Sequence, residues 1–375
     1  MTTDTDKRKV FIDVLRIIAC CLVLYNHTDC FNSFKYVEVY NNIYLIVLAI
    51  ITKINVPVFF LISGILMIGR EIPEGKWLRK IGTILIILIF FSTILYLNQT
   101  LFAEEKLNFV NLLYRLFSGN DIPGALQYWY LYSYLGYLFT LPFLQIMGKH
   151  MEARHFWLLF IGHFIMATVI PFNNFILNIF GLQGITISRY FEIPLMNSGV
   201  FFYPLMGYFL ENTYSETNLK RKTVIWSFIS LVCIMITVAL VEYDGYLTGY
   251  KHSLIGLFEY VYVFTIYLLV KEIFIKKPVK EKYKRILKTA SNATFGIYLL
   301  DPLLKQTVSW MLYQDINNFF NTVPLSKAII WILFSFLVSG MISYLFNYTK
   351  NILLKVGLRI KLGEISRNEN KDKKF

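Results

Sequence analysis

Long apolar stretches separated by short polar ones run along nearly the whole chain, and their lengths are typical of membrane-spanning helices. A helix needs about 20 mainly apolar residues to cross a bilayer. Ten transmembrane helices are therefore predicted, at 10–30, 42–68, 80–98, 126–147, 156–172, 194–211, 223–241, 253–275, 291–313 and 326–349. A shorter apolar stretch at 174–187 is broken by Gly and Gln near its end, which predicts a re-entrant or interfacial piece after the fifth helix.

Basic residues decide how these helices are oriented. With ten helices and the N-terminus inside, 28 of the 37 lysines and arginines lie in cytoplasmic segments and five lie in outer loops. An eleventh span would place the two richest basic segments, 271–288 and 350–374, outside the cell. Because cytoplasmic loops are enriched in Lys and Arg, the chain is predicted to be an all-α polytopic membrane protein with both termini cytoplasmic.

Three regions follow from this topology: a cytoplasmic arm at 1–9, a single transmembrane domain at 10–350, and a basic, disordered tail at 351–375. The basic run at 7–9 resembles the start of a signal peptide, but the apolar run after it is long and lacks a small-residue cleavage site. A retained first helix is therefore predicted. Apolar positions at helical spacing in the outer loop 98–126 predict an amphipathic surface helix.

Composition supports the membrane assignment, since the chain is 56% hydrophobic and only 16% charged, against about 25% charged in soluble domains. The net charge of +13 is explained by orientation and by anionic lipids, so membrane lipids are expected partners and nucleic acid is not. The expected location is the cell (plasma) membrane. Four cysteines without paired spacing predict neither a disulfide framework nor a metal site, and no bound cofactor is expected.

The first predicted helix carries charged side chains inside an apolar run. Arg16 and His27 are 11 residues apart, which places them within roughly 20° of one helix face, and Asp13 can pair with Arg16. Ionisable groups in lipid are costly and normally face a polar interior. Imidazole can take and return a proton near neutral pH, whereas guanidinium suits phosphate or carboxylate. A packed or interfacial histidine is the alternative interpretation of His27.

Further candidates lie in later segments. A basic run at the cytoplasmic start of the third helix suits either lipid headgroups or a phosphorylated donor, and it comprises Lys76, Arg79 and Lys80. Asp301 precedes a proline within the ninth helix and is expected to face the interior. Supporting roles are also predicted for Ser63 beside Gly64, for Trp129 in an aromatic stretch that suits an interfacial belt or a sugar platform, and for the pair Arg189 and Glu192.

The ordered set of motifs resembles the acyltransferase-3 family of integral membrane O-acyltransferases that modify bacterial surface glycans. The matching motifs, between residues 11 and 302, are FIDVLRIIACCLVLYNH, VPVFFLISGIL, WLRK, YWYLYSYLGYLFTLP, FFYPLMGYFL and NATFGIYLLDP. The resemblance implies transfer of an acyl group, commonly acetyl from cytoplasmic acetyl-CoA, to a hydroxyl of a cell-envelope polysaccharide or glycolipid. It also implies that Arg16 and His27 are the family's essential pair and that Arg79 and Lys80 belong to its donor-side motif.

Two positions depart from the family's pattern. Gly82-Thr83 stand where the basic motif usually continues, and Asp301 stands where the family often has histidine. The extracytoplasmic hydrolase-like domain of some relatives is also not recognised. The chain would therefore either finish the transfer itself or pass the acyl group to a separate extracytoplasmic transferase. The role of His27, as general base or as transient acyl carrier, stays open.

Two other functions fit ten helices with intramembrane charges. A transporter or flippase for an envelope glycan precursor would not respond to acetyl-CoA. A sensor or assembly scaffold would tolerate substitution of His27 or Arg16 without loss of any turnover.

Overall fold

The structure, a computed structural model, describes residues 9–28, 30, 43–103, 108–117, 122, 125–185, 198–249, 254–277, 279–311 and 325–345. All regular secondary structure in these residues is helical, as predicted. The α-helices are α1 (Val10–Asn26), α2 (Ile43–Thr52), α3 (Asn55–Met67), α4 (Glu74–Ala103), α5 (Phe109–Phe117), α6 (Trp129–His150), α7 (Ala153–Phe164), α8 (Ile170–Ile179), α9 (Gly199–Asn212), α10 (Leu219–Thr248), α11 (Glu259–Lys276), α12 (Glu281–Met311) and α13 (Leu325–Leu345).

Each of the ten predicted segments overlaps a helix of the structure. Within the described residues, five helical segments are long and apolar enough to cross a membrane: Ile43–Met67, Glu74–Asn98, Ala153–Ile179, Leu219–Thr248 and Leu325–Leu345. The described part of the chain is therefore all-helical and contains membrane-spanning candidates, whereas the count of ten spans and the side of each terminus stay predictions. Of the predicted arm only Lys9 is described, and the predicted tail lies outside the described residues.

The stretch predicted as a separate re-entrant piece instead begins as part of a longer helix. A π-helical turn at Ile165–Val169 joins α7 to α8, so the helix continues to Ile179. The Asn174 side chain then binds the backbone of Ile185, accepting from its N–H at 2.6 Å and donating to its carbonyl at 3.1 Å. The amphipathic helix predicted in the outer loop is α5, which buries Leu112 and Leu116.

Helix α1 packs against α3, α11 and α12. Beside it, α3 and α9 pack so closely that only glycine fits at two positions of their contact. A Cβ added to Gly64 would lie 1.9 Å from the carbonyl oxygen of Pro204, and one added to Gly207 would lie 2.2 Å from that of Leu61. This backbone-to-backbone packing fixes α3 against the bundle and so positions the residues of α3 that face α1.

Candidate active site

His27, just after the end of α1, is hydrogen-bonded to the buried Asp301 of α12. The Nδ1 atom of His27 lies 2.7 Å from Oδ2 of Asp301, and the side chains are 11% and 0% exposed. His27 directly follows the last residue of α1, and Asp301 lies within α12 beside Pro302. A carboxylate at this distance accepts the Nδ1–H of the imidazole, which leaves the lone pair on Nε2. The pair therefore holds the histidine in the tautomer that can act as a base.

The second oxygen of Asp301 is held by α13. Oδ1 accepts a hydrogen bond from the Ser335 hydroxyl at 2.6 Å and from the Trp331 indole N–H at 3.2 Å. Together with His27, three donors surround a carboxylate that is fully buried. Such donors offset the cost of burying a charge and fix its orientation.

A cation lies one helical turn beyond Asp301. The Lys305 ammonium donates to the backbone carbonyl of His27 at 2.8 Å. This bond satisfies a carbonyl at the C-terminal end of α1, where positive charge is favourable. The contact ties the histidine backbone to α12, so both the backbone and the ring of His27 are fixed by the same helix.

An interior cavity of about 350 Å³ opens beside α1. It brings together three residues predicted from sequence, Arg16, Ser63 and Lys80, which come from α1, α3 and α4. The interior cavity is also lined by Val23, Val56, Phe59, Ile62, Ile84, Tyr130, Tyr134, Ser291, Asn292, Thr294, Phe295 and Tyr298. Its walls are mostly apolar, and its cations are suited to a ligand that carries an acidic group.

Aromatic side chains of α6 form one wall of the interior cavity. Tyr130 and Tyr134 stack with ring centroids 5.7 Å apart, and the Lys80 ammonium lies 5.6 Å from the centre of the Tyr134 ring. Trp129, the residue predicted from this stretch, is 54% exposed and is absent from the cavity wall. Consecutive helical residues point about 100° apart, so the wall uses Tyr130 and not its neighbour.

The other predicted residues have different settings. Lys76 and Arg79 are exposed at the start of α4, where Lys76 lies one helical turn before Lys80 and Arg79 directly precedes it. Asp13 is buried on α1. Arg189 and Glu192 lie outside the described residues.

Sequence reasoning did not single out three residues that contact or adjoin the site. Ser335 and Trp331 hold Asp301, and Tyr298 lines the interior cavity while its ring lies 6.4 Å from that of His27. Ser335 and Ser339 are spaced four residues apart in an otherwise apolar segment, a polar stripe on one helix face that could have been noticed.

Comparison with protein families identifies the family of this chain. A family model described as an acyltransferase domain, that of the acyltransferase-3 family, matches residues 9–348 and so covers α1 to α13. No curated protein and no solved structure matches the chain. Since the match extends over nearly the whole chain, this protein belongs to the acyltransferase-3 family of membrane acyltransferases.

Proposed function

We propose that the protein moves an acyl group, acetyl in the simplest case, from cytoplasmic acyl-CoA to a hydroxyl of a cell-envelope polysaccharide or glycolipid. The observation that carries the proposal is the His27–Asp301 pair, which lies just beyond a cavity lined by Arg16 and Lys80. One part of the bundle therefore contains a base, a cavity that can hold a donor, and cations that can bind its acidic groups. The cell (plasma) membrane is the proposed location.

Asp301 orients the catalytic imidazole in this proposal. It accepts the Nδ1–H of His27, so Nε2 removes the proton of the acceptor hydroxyl as the hydroxyl oxygen attacks the thioester carbonyl. The new C–O ester bond forms, the C–S bond breaks, and the CoA sulfur leaves as a thiolate that takes the proton from the imidazolium. Asp301 also stabilises the positive charge that His27 carries between these two steps.

An acyl-imidazole route uses the same pair. In that route Nε2 attacks the thioester carbonyl, a C–N bond forms as the C–S bond breaks, and CoA leaves as a thiolate. The acceptor hydroxyl oxygen then forms the C–O ester bond as the C–N bond breaks, and its proton goes to the thiolate. Both routes need an unprotonated Nε2, and both fit transfer within this chain or to a separate extracytoplasmic transferase. They differ in one measurable respect, since only the second leaves acyl groups on the protein when no acceptor is present.

In this proposal the acyl-CoA donor enters the bundle along a series of basic side chains. The exposed Lys76 and Arg79 lie at the start of α4, and Lys80 and Arg16 lie in the interior cavity. We infer that phosphates of CoA bind at the exposed end of this series and that the pantetheine arm occupies the mostly apolar cavity. On the predicted topology this order runs from the cytoplasm toward His27.

Substitution of His27 tests the function. Cells carrying His27→Ala or His27→Gln should lose alkali-labile acetate from envelope glycans, because no other described group at the site replaces the base. His150→Ala is the matched control, since His150 is an exposed histidine at the end of α6, and this variant should keep normal acetate. Unchanged acetate in His27→Ala, at a normal level of membrane protein, would contradict the catalytic role.

Binding of acetyl-CoA separates acyl transfer from transport. Purified protein in detergent should be stabilised against heat by acetyl-CoA, because a ligand that binds only the folded state raises its stability. A protein that responds to an envelope glycan precursor but not to acetyl-CoA would support the transporter or flippase interpretation instead.

A further inference from the structure

Three tyrosine rings pack together where the interior cavity comes nearest to the His27–Asp301 pair. This aromatic layer consists of Tyr128, Tyr130 and Tyr298, whose rings meet edge to face. The Tyr298 ring centroid lies 6.0 Å from that of Tyr128 and 5.8 Å from that of Tyr130. Tyr130 and Tyr298 line the interior cavity, and the Tyr298 ring lies 6.4 Å from the His27 ring.

Helix geometry places the end of the interior cavity one turn short of the catalytic pair. Val23 is the cavity-lining residue of α1 nearest in sequence to His27, and Tyr298 is the one of α12 nearest to Asp301. Four and three residues along a helix correspond to rises of about 6 Å and about 4.5 Å. We therefore infer that a thioester running from the cavity to Nε2 of His27 passes close to the Tyr298 ring, with its acyl group beside that ring.

Hydrogen bonds lock the aromatic layer in place. The Tyr298 hydroxyl donates to the carbonyl of Gln127 at 2.7 Å, and the Tyr128 hydroxyl donates to the carbonyl of Leu299 at 2.7 Å. Both rings are buried, at 7% and 0% exposure. Rotating the Tyr298 ring away would break a partly buried hydrogen bond and three ring contacts, so the ring is a fixed wall and not a flexible flap.

We propose that Tyr298 sets the length of the acyl group that this protein accepts, restricting it to short chains. The inference rests on the proposed acyl-CoA donor and deepens it by naming the class of acyl group. A short acyl group fits in the space that a thioester occupies beside the ring. Each further methylene meets the buried face of Tyr298, and apolar pockets discriminate such additions by close packing.

Binding of two CoA thioesters to the purified protein tests this inference. Dissociation constants of acetyl-CoA and hexanoyl-CoA are measured by calorimetry for wild type, Tyr298→Ala, Tyr298→Leu and Tyr298→Phe. We expect wild type to bind hexanoyl-CoA at least about tenfold more weakly than acetyl-CoA, in line with the discrimination that apolar pockets reach for added methylenes. Both truncations should remove most of this difference, and Tyr298→Phe should keep it because the ring remains.

Tyr132→Ala is the matched control. Tyr132 lies on α6, is half-buried, and donates to the carbonyl of Leu116 at 2.8 Å outside the cavity wall. This variant should keep the wild-type preference for acetyl-CoA. A shift in Tyr132→Ala equal to that in Tyr298→Ala would overturn the inference, because general loosening of the bundle would then explain both.

The outcomes separate this inference from the proposed function. If wild type binds both thioesters equally, or if folded Tyr298→Leu keeps the full preference, the length restriction is wrong while the acyl-CoA donor stands. If wild type binds neither thioester, the donor assignment fails and the inference fails with it. If Tyr298→Ala does not give a monodisperse peak in size-exclusion chromatography, the test uses Tyr298→Leu instead. The ratio of the hexanoyl-CoA to the acetyl-CoA dissociation constant is then compared between Tyr298→Leu and wild type.

Discussion

Replacing the Asp301 carboxylate by an amide tests the most specific feature of the site. In Asp301→Asn the side chain keeps its size, and its oxygen can still accept from Ser335 and Trp331 at the Oδ1 position. The amide NH₂ then faces Nδ1 of His27, at the place where the carboxylate oxygen accepted the Nδ1–H at 2.7 Å. Because an NH₂ group only donates, Nδ1 must become the acceptor and the ring proton moves to Nε2.

The size of the effect follows from that tautomer change. An imidazole with a proton on Nε2 has no lone pair to accept the hydroxyl proton. In a His–Asp pair of a serine protease, the same change lowers the turnover number about 10⁴-fold, which is about 5.4 kcal/mol of transition-state stabilisation at 1.36 kcal/mol per tenfold. We expect a fall of roughly 10³- to 10⁴-fold in kcat with a small change in KM for acetyl-CoA.

Ser335→Ala and Ser339→Ala form a graded control on the same helix. Ser335 gives Asp301 a 2.6 Å hydrogen bond, whereas the Ser339 hydroxyl has no hydrogen-bond partner among the described residues although it is equally buried. Loss of one hydrogen bond to a charged group costs about 1.5 kcal/mol or more, so Ser335→Ala should lower kcat about tenfold. Ser339→Ala should keep the wild-type rate.

The assay follows release of the CoA thiol from acetyl-CoA by purified protein supplied with an envelope glycan fraction. Rates are normalised to the monodisperse protein peak, so that misfolded protein is not counted. An Asp301→Asn variant within about fivefold of wild type, which is about 1 kcal/mol, would refute the orienting role of the carboxylate. Equal losses in Ser335→Ala and Ser339→Ala would show that packing, and not the hydrogen bond, matters on α13.

Two further predictions concern the donor and the bundle. Lys80 lines the interior cavity, while Arg79 is exposed beside it. Lys80→Ala should therefore raise KM for acetyl-CoA by about tenfold, and Arg79→Ala should raise it less because solvent and salt screen an exposed charge. A larger rise in KM for Arg79→Ala than for Lys80→Ala, measured by thiol release, would contradict this assignment. Gly64→Ala should lower the melting temperature of the detergent-solubilised protein, because its Cβ would lie 1.9 Å from the Pro204 oxygen, at a cost of about 1–3 kcal/mol or more. Gly136→Ala, which meets no atom within 4 Å, should leave that temperature unchanged or raised, and equal losses in both variants would contradict the packing argument.

Local pattern was sufficient to predict the helices. Each apolar segment overlaps a helix because a buried backbone in an apolar medium must satisfy its own hydrogen bonds, and this requirement acts on every segment separately. The exception at 174–179 has a physical reason. The apolar stretch is too short to span by itself and its Gly and Gln breaks lie near its end, so residues 174–179 can continue the helix before them, and the Asn174 side chain binds the backbone of Ile185 after the helix ends.

Within single helices the sequence also identified candidate chemistry. Arg16, His27 and Asp301 stand out because ionisable groups in apolar runs need an interior partner. The same reasoning could not choose between Lys80 and Arg79, or between Tyr130 and Trp129, because adjacent residues on a helix differ only in direction. Packing of α4 and α6 in the bundle decides which of each pair lines the interior cavity.

The partnership of His27 with Asp301 was decided by tertiary structure alone. The two residues are 274 positions apart, and nothing local to α1 or α12 states that their faces meet. The sequence marked Asp301 as a departure from the family's usual histidine, whereas the structure makes it the group that holds Nδ1 of His27 and is itself held by Ser335. The sequence determined which side chains are too costly to face lipid, and only the packing of α1, α12 and α13 decided which of them hydrogen-bond to one another.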